Sequence, residues 1–228
     1  MAKGSNLVLQ GMTGSLAGLV LTKAGNGETI IRSKPGKVRQ PNTDAQLTQR
    51  GKFGVITQLA AKNKLVIRNY TKKHKPTASA YNAFVRNNSD KVANPSPNTY
   101  VTDYKGLQTV TGGGAEPYNI TPAFTAATAP QTGFNITATW NYYPANPTHS
   151  VNDQIGFVII ETSKDLIRVE VATVAITANT ATINVQVDPN GDTFVIPFFL
   201  NSNNGYGSEI TNAVLVPSTG TPSIVNRF

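Results

Sequence analysis

The spacing of apolar residues changes twice along the chain. Near the start, Leu19-Val20-Leu21-Thr22 and Thr29-Ile30-Ile31-Arg32 are short apolar runs either side of Ala24-Gly25-Asn26-Gly27. Two such runs around a Gly/Asn-rich connection predict a β-hairpin. Gly4, Gly11, Gly14 and Gly18 precede it and suggest an extended or closely packed entry segment. Lys34-Pro35-Gly36 then ends the strand, because proline has no N–H to donate. Thr43-Asp44-Ala45-Gln46 has the form of a capping box and predicts a helix from near Asp44. Leu47, Phe53, Val55, Ile56, Leu59 and Ala60 give an apolar stripe that carries this helix to about Lys62, with Gly51 and Gly54 as small positions on it. A second capped helix is expected after Thr77 or Ser79, with Tyr81, Phe84 and Val85 facing the core and an end near Asn87-Asn88.

The helical spacing vanishes after residue 98. Strand-like runs recur at 99–104, 106–111, 118–126, 134–141, 155–161, 166–176, 180–187, 193–200 and 210–216, separated by turn residues. That rhythm predicts a β-sandwich. Ile155-Gly156-Phe157-Val158-Ile159-Ile160 is apolar on both faces, as in a covered central strand, whereas Ile183, Val185 and Val187 alternate with polar residues as on a half-exposed one. Pro197 places its strand at an edge or a bulge. Trp140, the single Trp, is expected to anchor the core.

Charge sharpens this division. Residues 1–92 carry 16 basic and 3 acidic residues, against 4 and 9 in residues 93–228. The change falls on Ala93-Asn94-Pro95-Ser96-Pro97-Asn98, where two prolines suggest a linker. The expected organisation is a basic hairpin-and-helix domain over 1–92, a Pro-rich linker over 93–98 and a β-sandwich over 99–228. A basic front and an acidic back suit different partners at the two ends, or a head-to-tail assembly. The absence of cysteine excludes disulfides and thiolate metal sites. No continuous apolar stretch marks a signal peptide or a membrane span, so a virion or a cytoplasm is the expected location.

The densest candidate site is the set Arg32, Lys34, Lys37, Arg39, Arg50 and Lys52, around the loop that leads into the first helix. It reads as an anion or nucleic-acid contact, or as a solvated basic surface or subunit contact, because no aromatic residues lie between the cations for base stacking. A second basic tract runs through Lys72, Lys73, His74 and Lys75. The two histidines, His74 and His149, provide neither a metal cage nor a paired catalytic base. Asp153, Glu161, Asp165 and Glu170 read as solvation of an apolar sheet rather than paired catalytic acids. Asp188-Pro189-Asn190-Gly191-Asp192 lacks the bidentate acid of a calcium loop and reads as a hairpin turn. Gly112-Gly113-Gly114 reads as a flexible loop, and Trp140 with Tyr142 and Tyr143 as packing rather than a sugar platform. No enzyme activity, cofactor or metal is expected.

Gly27-Glu28-Thr29-Ile30-Ile31-Arg32 through Lys34-Pro35, Val38-Arg39, Pro41-Asn42-Thr43, Ala45-Gln46 and Gln49-Arg50-Gly51-Lys52-Phe53, with Ser79-Ala80-Tyr81-Asn82 further on, resemble an uncharacterised family of Bacteroidota and phage-associated proteins. The resemblance implies an α+β N-terminal region, a hairpin with two or three helices, followed by an all-β immunoglobulin-like sandwich. It brings no catalytic residue. The expected function is a non-enzymatic structural subunit of a repeating assembly, a phage or virus-like particle component that exchanges segments with homo-oligomer or other virion partners. The alternative is a nucleic-acid-binding protein whose basic N-terminal domain contacts phosphates and whose sandwich is a protein-interaction module.

Overall fold

The computed structural model describes residues 2–4, 13–16, 18–23, 28–34, 43–73, 75–111, 120–127, 133–141, 150, 152–172, 174, 176–202, 207–209 and 212–226. The chain forms two compact units, Met1–Thr43 and Asp44–Phe228.

The first unit is a four-stranded antiparallel sheet of very short strands, β1 (Ala2–Gly4), β2 (Gly14–Leu16), β3 (Leu19–Lys23) and β4 (Thr29–Ser33), in the order β1-β4-β3-β2. The expected hairpin is β3–β4, with Leu21 opposite Ile31 and Val20 opposite Arg32. Its turn, residues 24–27, lies outside the described residues. Strand alternation puts Leu19, Leu21 and Ile31 on one face. Thr29 is the one buried residue described in this unit, and Leu19 is 44% exposed.

The second unit begins with three helices, α1 (Asp44–Lys62), α2 (Lys64–Tyr70) and α3 (Ala80–Asn88). The Ser79 side chain accepts a 3.1 Å hydrogen bond from the Asn82 N–H and so starts α3 where the sequence places a cap. Among the described residues eleven strands follow, antiparallel wherever they pair: β5 (Val92–Ser96), β6 (Thr99–Thr102), β7 (Thr121–Ala126), β8 (Phe134–Thr139), β9 (Gln154–Glu161), β10 (Leu166–Val171), β11 (Thr180–Val185), β12 (Thr193–Leu200), β13 (Gly207–Glu209), β14 (Asn212–Val216) and β15 (Ser223–Asn226).

The larger sheet has the order β10-β9-β12-β14-β15, with β13 also on β12, and the smaller has the order β11-β8-β7. Alternation along the larger sheet feeds two separate cores. Val158, Ile160, Ile167, Ile196, Phe198 and Ala213 pack with Ile56, Leu59, Ile67 and Phe84 of the helices. Ile155, Phe157, Val195, Phe199, Val214 and Val216 pack instead with Ile136, Ala138, Ala181 and Val185 of the smaller sheet. The unit therefore has three layers: helices, a large sheet and a small sheet. Strand β9 is covered on both faces, which is why its sequence is continuously apolar. Trp140 lies inside the second core, its indole N–H donating to the Ile176 carbonyl at 2.7 Å.

Two buried asparagines fix the helical layer to the rest. Asn63 follows α1; its amide donates to Leu59 O (2.8 Å) and Asp165 O (2.9 Å), and its Oδ1 accepts from Ile167 N (2.7 Å). Asn88 ends α3 and repeats the pattern with Phe84 O, Gln108 O and Gln108 N. Each side chain closes one helix end and holds a strand or loop against it.

Three expectations differ from this arrangement. Residues 93–98 are not an open connection: 93–96 belong to β5, which pairs with β6, and Asn98 turns the hairpin with a φ of +61°. The helices share a core with the large sheet, so the compact units divide at residue 43/44 rather than in that proline-rich stretch. Residues 106–111 form no strand, because their backbone groups are taken by side chains and chain ends of the helical layer: Gln108 by Asn88, Thr109 by Thr71, Thr111 by Tyr70. Pro197 lies on a central strand, not an edge. On one side β12 pairs with β9 along its whole length. On the other its partner changes from β14 at 193–195 to β13 at 198–200, leaving Ile196 and Pro197 at the break. The missing proline N–H is accommodated at that irregularity.

Candidate functional site

Of the six cations singled out in the sequence, Arg32 and Lys34 are exposed at the end of β4, and Lys37 and Arg39 lie outside the described residues. Arg50 is exposed on α1 and Lys52 half-buried. Two residues apart on a helix, they point about 200° from each other. Helix α1 thus does not present that pair to a single ligand.

A different set of cations is brought together by α2 and the chain that follows it. Lys64 and Arg68 are exposed at i and i+4, about 6 Å apart along the axis. Lys72, Lys73 and Lys75 follow and are exposed as well. The opposite face of α2 is fixed in the core: Ile67 is fully buried, and the Tyr70 ring meets Phe198 edge-on at 6.0 Å. Beyond the helix, Thr71 Oγ1 donates to Thr109 O (2.8 Å), Thr111 N to Tyr70 O (3.1 Å) and Lys72 N to Thr111 Oγ1 (3.1 Å). The i, i+4 spacing of Lys64 and Arg68 was the signal in the sequence; the Leu65-Val66-Ile67 run between them masked it.

The acidic residues have structural partners. Asp153 is buried and accepts from Ser150 N, Ser202 N and Ser202 Oγ, each at 2.9 Å. Glu161 is buried between Lys164 (2.6 Å) and Arg168 (2.7 Å), and Glu170 meets Arg168 at 3.6 Å. Partial burial pushes the Asp165 carboxyl up, but hydrogen bonds from Lys62 (2.5 Å) and Tyr104, with the Lys62 charge, outweigh it and hold the carboxyl below its ordinary value. Burial, then the hydrogen bond to Asp165, push the Tyr104 phenol above its own. Asp188 is held below the usual carboxylate range by the Ser163 hydroxyl (2.5 Å) and then by Asn190 N (2.9 Å). Its oxygens serve the 188–192 turn, as expected of a hairpin connection. Among the described residues no group of His, Asp and Glu could hold a metal ion. His74, His149, Gly112–Gly114, Tyr142 and Tyr143 lie outside the described residues.

Two open grooves border α1. One, about 420 Å³, lies between its first turns and the β5–β6 hairpin; Leu47, Thr48, Pro95 and Tyr100 line it, with Asp44 as a lone carboxylate. The other, about 290 Å³, is apolar and lined by Phe53, Tyr81, Val85 and Arg86. Neither gathers groups suited to acid–base or nucleophilic chemistry. No described helix is long and apolar enough to cross a membrane.

A model of the family of unknown function DUF6266 matches residues 11–217, and the chain belongs to that family. The match agrees with the resemblance to an uncharacterised family and carries no taxonomic or phage assignment. No curated protein and no solved structure matches the chain.

Proposed function

We propose that this protein is a non-enzymatic structural subunit that assembles with copies of itself through its N-terminal sheet, as a component of a phage or virus-like particle. The supporting observation is the makeup of that sheet. Its four strands have three to five residues, and Leu19, Leu21 and Ile31 share one face. Sheets this small are marginal in water without a further apolar surface, and short strands with free edges are natural sites of exchange between subunits. A second copy provides that surface, by strand addition or by stacking of the apolar faces. The two-sheet part of the second unit is read here as an immunoglobulin-like sandwich, supported by its antiparallel pairing and by the Trp inside its core.

The test is light scattering on the full chain at low and high salt, beside the triple variant Leu19→Glu, Leu21→Glu, Ile31→Glu. The expected result is a multimer at both salt concentrations, reduced to monomer by the variant while the helix signal in circular dichroism persists. A wild-type protein that is monomeric across the concentration range overturns the proposal.

A further inference from the structure

We infer that α2 and the segment after it form a docking strip for the phosphate backbone of a nucleic acid, with Lys64, Arg68, Lys73 and Lys75 as the contacting cations. This site is separate from the six cations suggested by the sequence, and it does not depend on how the N-terminal sheet assembles.

Three observations carry it. First, these four residues are exposed and form no salt bridge among the described residues, within a stretch of twelve residues that contains no Asp or Glu. Asp165, whose backbone carbonyl meets Asn63 at the head of α2, has its carboxylate engaged by Lys62 and Tyr104. The strip's positive field is therefore not cancelled locally. Second, helix stability does not explain the placement. Lys64 occupies the first turn of α2, which has no acidic residue and no side-chain cap, and the positive end of a helix disfavours a cation. A charge placed against the local rule points to use elsewhere. Third, the support is rigid, because Ile67 and Tyr70 are set in the core and residues 70–72 are bonded to 109–111.

The same observations choose the ligand class. A membrane-surface helix needs an apolar face to insert, and here Val66, Ile67 and Tyr70 are packed into the core, leaving Leu65 alone, 75% exposed. A protein partner would be expected to use an apolar centre with a charged rim, and this strip has no such centre. A row of cations whose interleaved Tyr70 has its ring against Phe198 of the core matches a backbone read by charge rather than bases read by stacking.

The experiment measures binding of a fluorescein-labelled mixed-sequence DNA duplex to the full chain by anisotropy, from 50 to 200 mM salt. The compared variants are Lys64→Gln/Arg68→Gln/Lys73→Gln/Lys75→Gln, the charge-keeping Lys64→Arg/Lys73→Arg/Lys75→Arg, and Arg32→Gln/Lys34→Gln. Phosphate contacts lower log K by about 0.9 per neutralised phosphate for each unit of log salt. The quadruple variant is expected to bind at least tenfold more weakly at low salt, with a slope reduced by about 3 to 4. The charge-keeping variant is expected to bind like wild type, and Arg32→Gln/Lys34→Gln to keep most of the slope. No duplex binding by wild type, binding that is unchanged in the quadruple variant, or capture by phosphatidylserine vesicles in place of DNA each overturns the inference. A fall in binding that appears equally in the charge-keeping variant overturns it too, since that loss would reflect structure rather than charge. Loss of the multimer in the light-scattering test leaves this result unaffected, so the two proposals fail separately.

Discussion

Replacing Asn63 by Ala tests whether the helical layer is held to the sheet by the side-chain clamp. The asparagine is 3% exposed and uses both amide hydrogens and its carbonyl oxygen. Leu59 O keeps a second donor, the Asn63 N–H at 3.2 Å, so its loss is mild. The Asp165 carbonyl and the Ile167 N–H lose the partner provided by this side chain, and Ile167 is 1% exposed. A buried donor left unsatisfied costs about 1–3 kcal/mol, and the remaining lost bonds bring the expected destabilisation to about 2–4 kcal/mol. For a chain of this size that lowers Tm by roughly 4–16 °C. The assay is thermal and urea unfolding followed by circular dichroism. Asn63→Asp refines it: the introduced carboxylate still accepts from Ile167 but turns its other oxygen toward two carbonyl oxygens. Its folded pKa must lie above its unfolded value, so the folded state holds the extra proton and stability falls as pH rises through that range. The deficit against wild type should be larger at pH 7 than at pH 4. A loss below about 0.5 kcal/mol for Asn63→Ala, or a deficit that shrinks from pH 4 to pH 7, would refute the clamp.

Other substitutions probe packing and charge. Gly54→Ala should stabilise by up to about 1 kcal/mol in urea unfolding, because a Cβ there meets nothing within 4 Å and alanine favours the helix; Gly51→Ala should not, since its Cβ would overlap the Tyr100 ring. Gly156→Ala should cost about 1–3 kcal/mol in the same assay, as the new methyl would lie 2.5 Å from Phe198 Cζ and 3.0 Å from the Glu170 carbonyl. Asp165→Asn tests the acid side: a carboxyl with a depressed folded pKa stabilises above its unfolded pKa and loses that contribution as pH falls through the folded one. The variant should therefore lose less stability than wild type between pH 6 and pH 2. Asparagine also tolerates the φ of +52° at this position, so the backbone is not strained.

What could be read from the sequence was whatever a local period records. Helix α1 covers Asp44–Lys62, as its capping box and apolar stripe indicate, and α3 begins after Ser79. Strands β9, β11 and β12 lie where the two-residue alternation or continuous apolar run places them. What escaped depends on long-range contacts. The proline pair at 95 and 97 signals a break in either helix or strand, and only the pairing of β5 with β6 makes it a hairpin. Residues 106–111 have strand-like composition, but Asn88, Thr71 and Tyr70 take their backbone groups. The candidate site was legible as charge and not as geometry: residue counts show that the front is basic, and only the helix frame separates Arg50 from Lys52 and aligns Lys64 with Arg68.

The shared large sheet changes the meaning of the charge asymmetry. Because β9 and β12 bury one face against helices and the other against β8 and β11, the basic region 44–92 is a layer of a single folded unit, not a separate head. The opposite outer surface is uncharged along the ladder: Thr137 and Thr182 share a hydrogen bond at 2.8 Å, Asn184 donates to Asn135 at 3.0 Å, and Gln186 donates to Asn184 at 2.7 Å. The first two of these bonds join β8 to β11 and the third runs along one strand end, so the polar groups of this face partner one another. Lys64, Arg68, Lys73 and Lys75 form no salt bridge among the described residues. Of the two outer layers, the helical one therefore gains more from a charged ligand, and a nucleic-acid backbone binding there would leave the neutral sheet face unchanged.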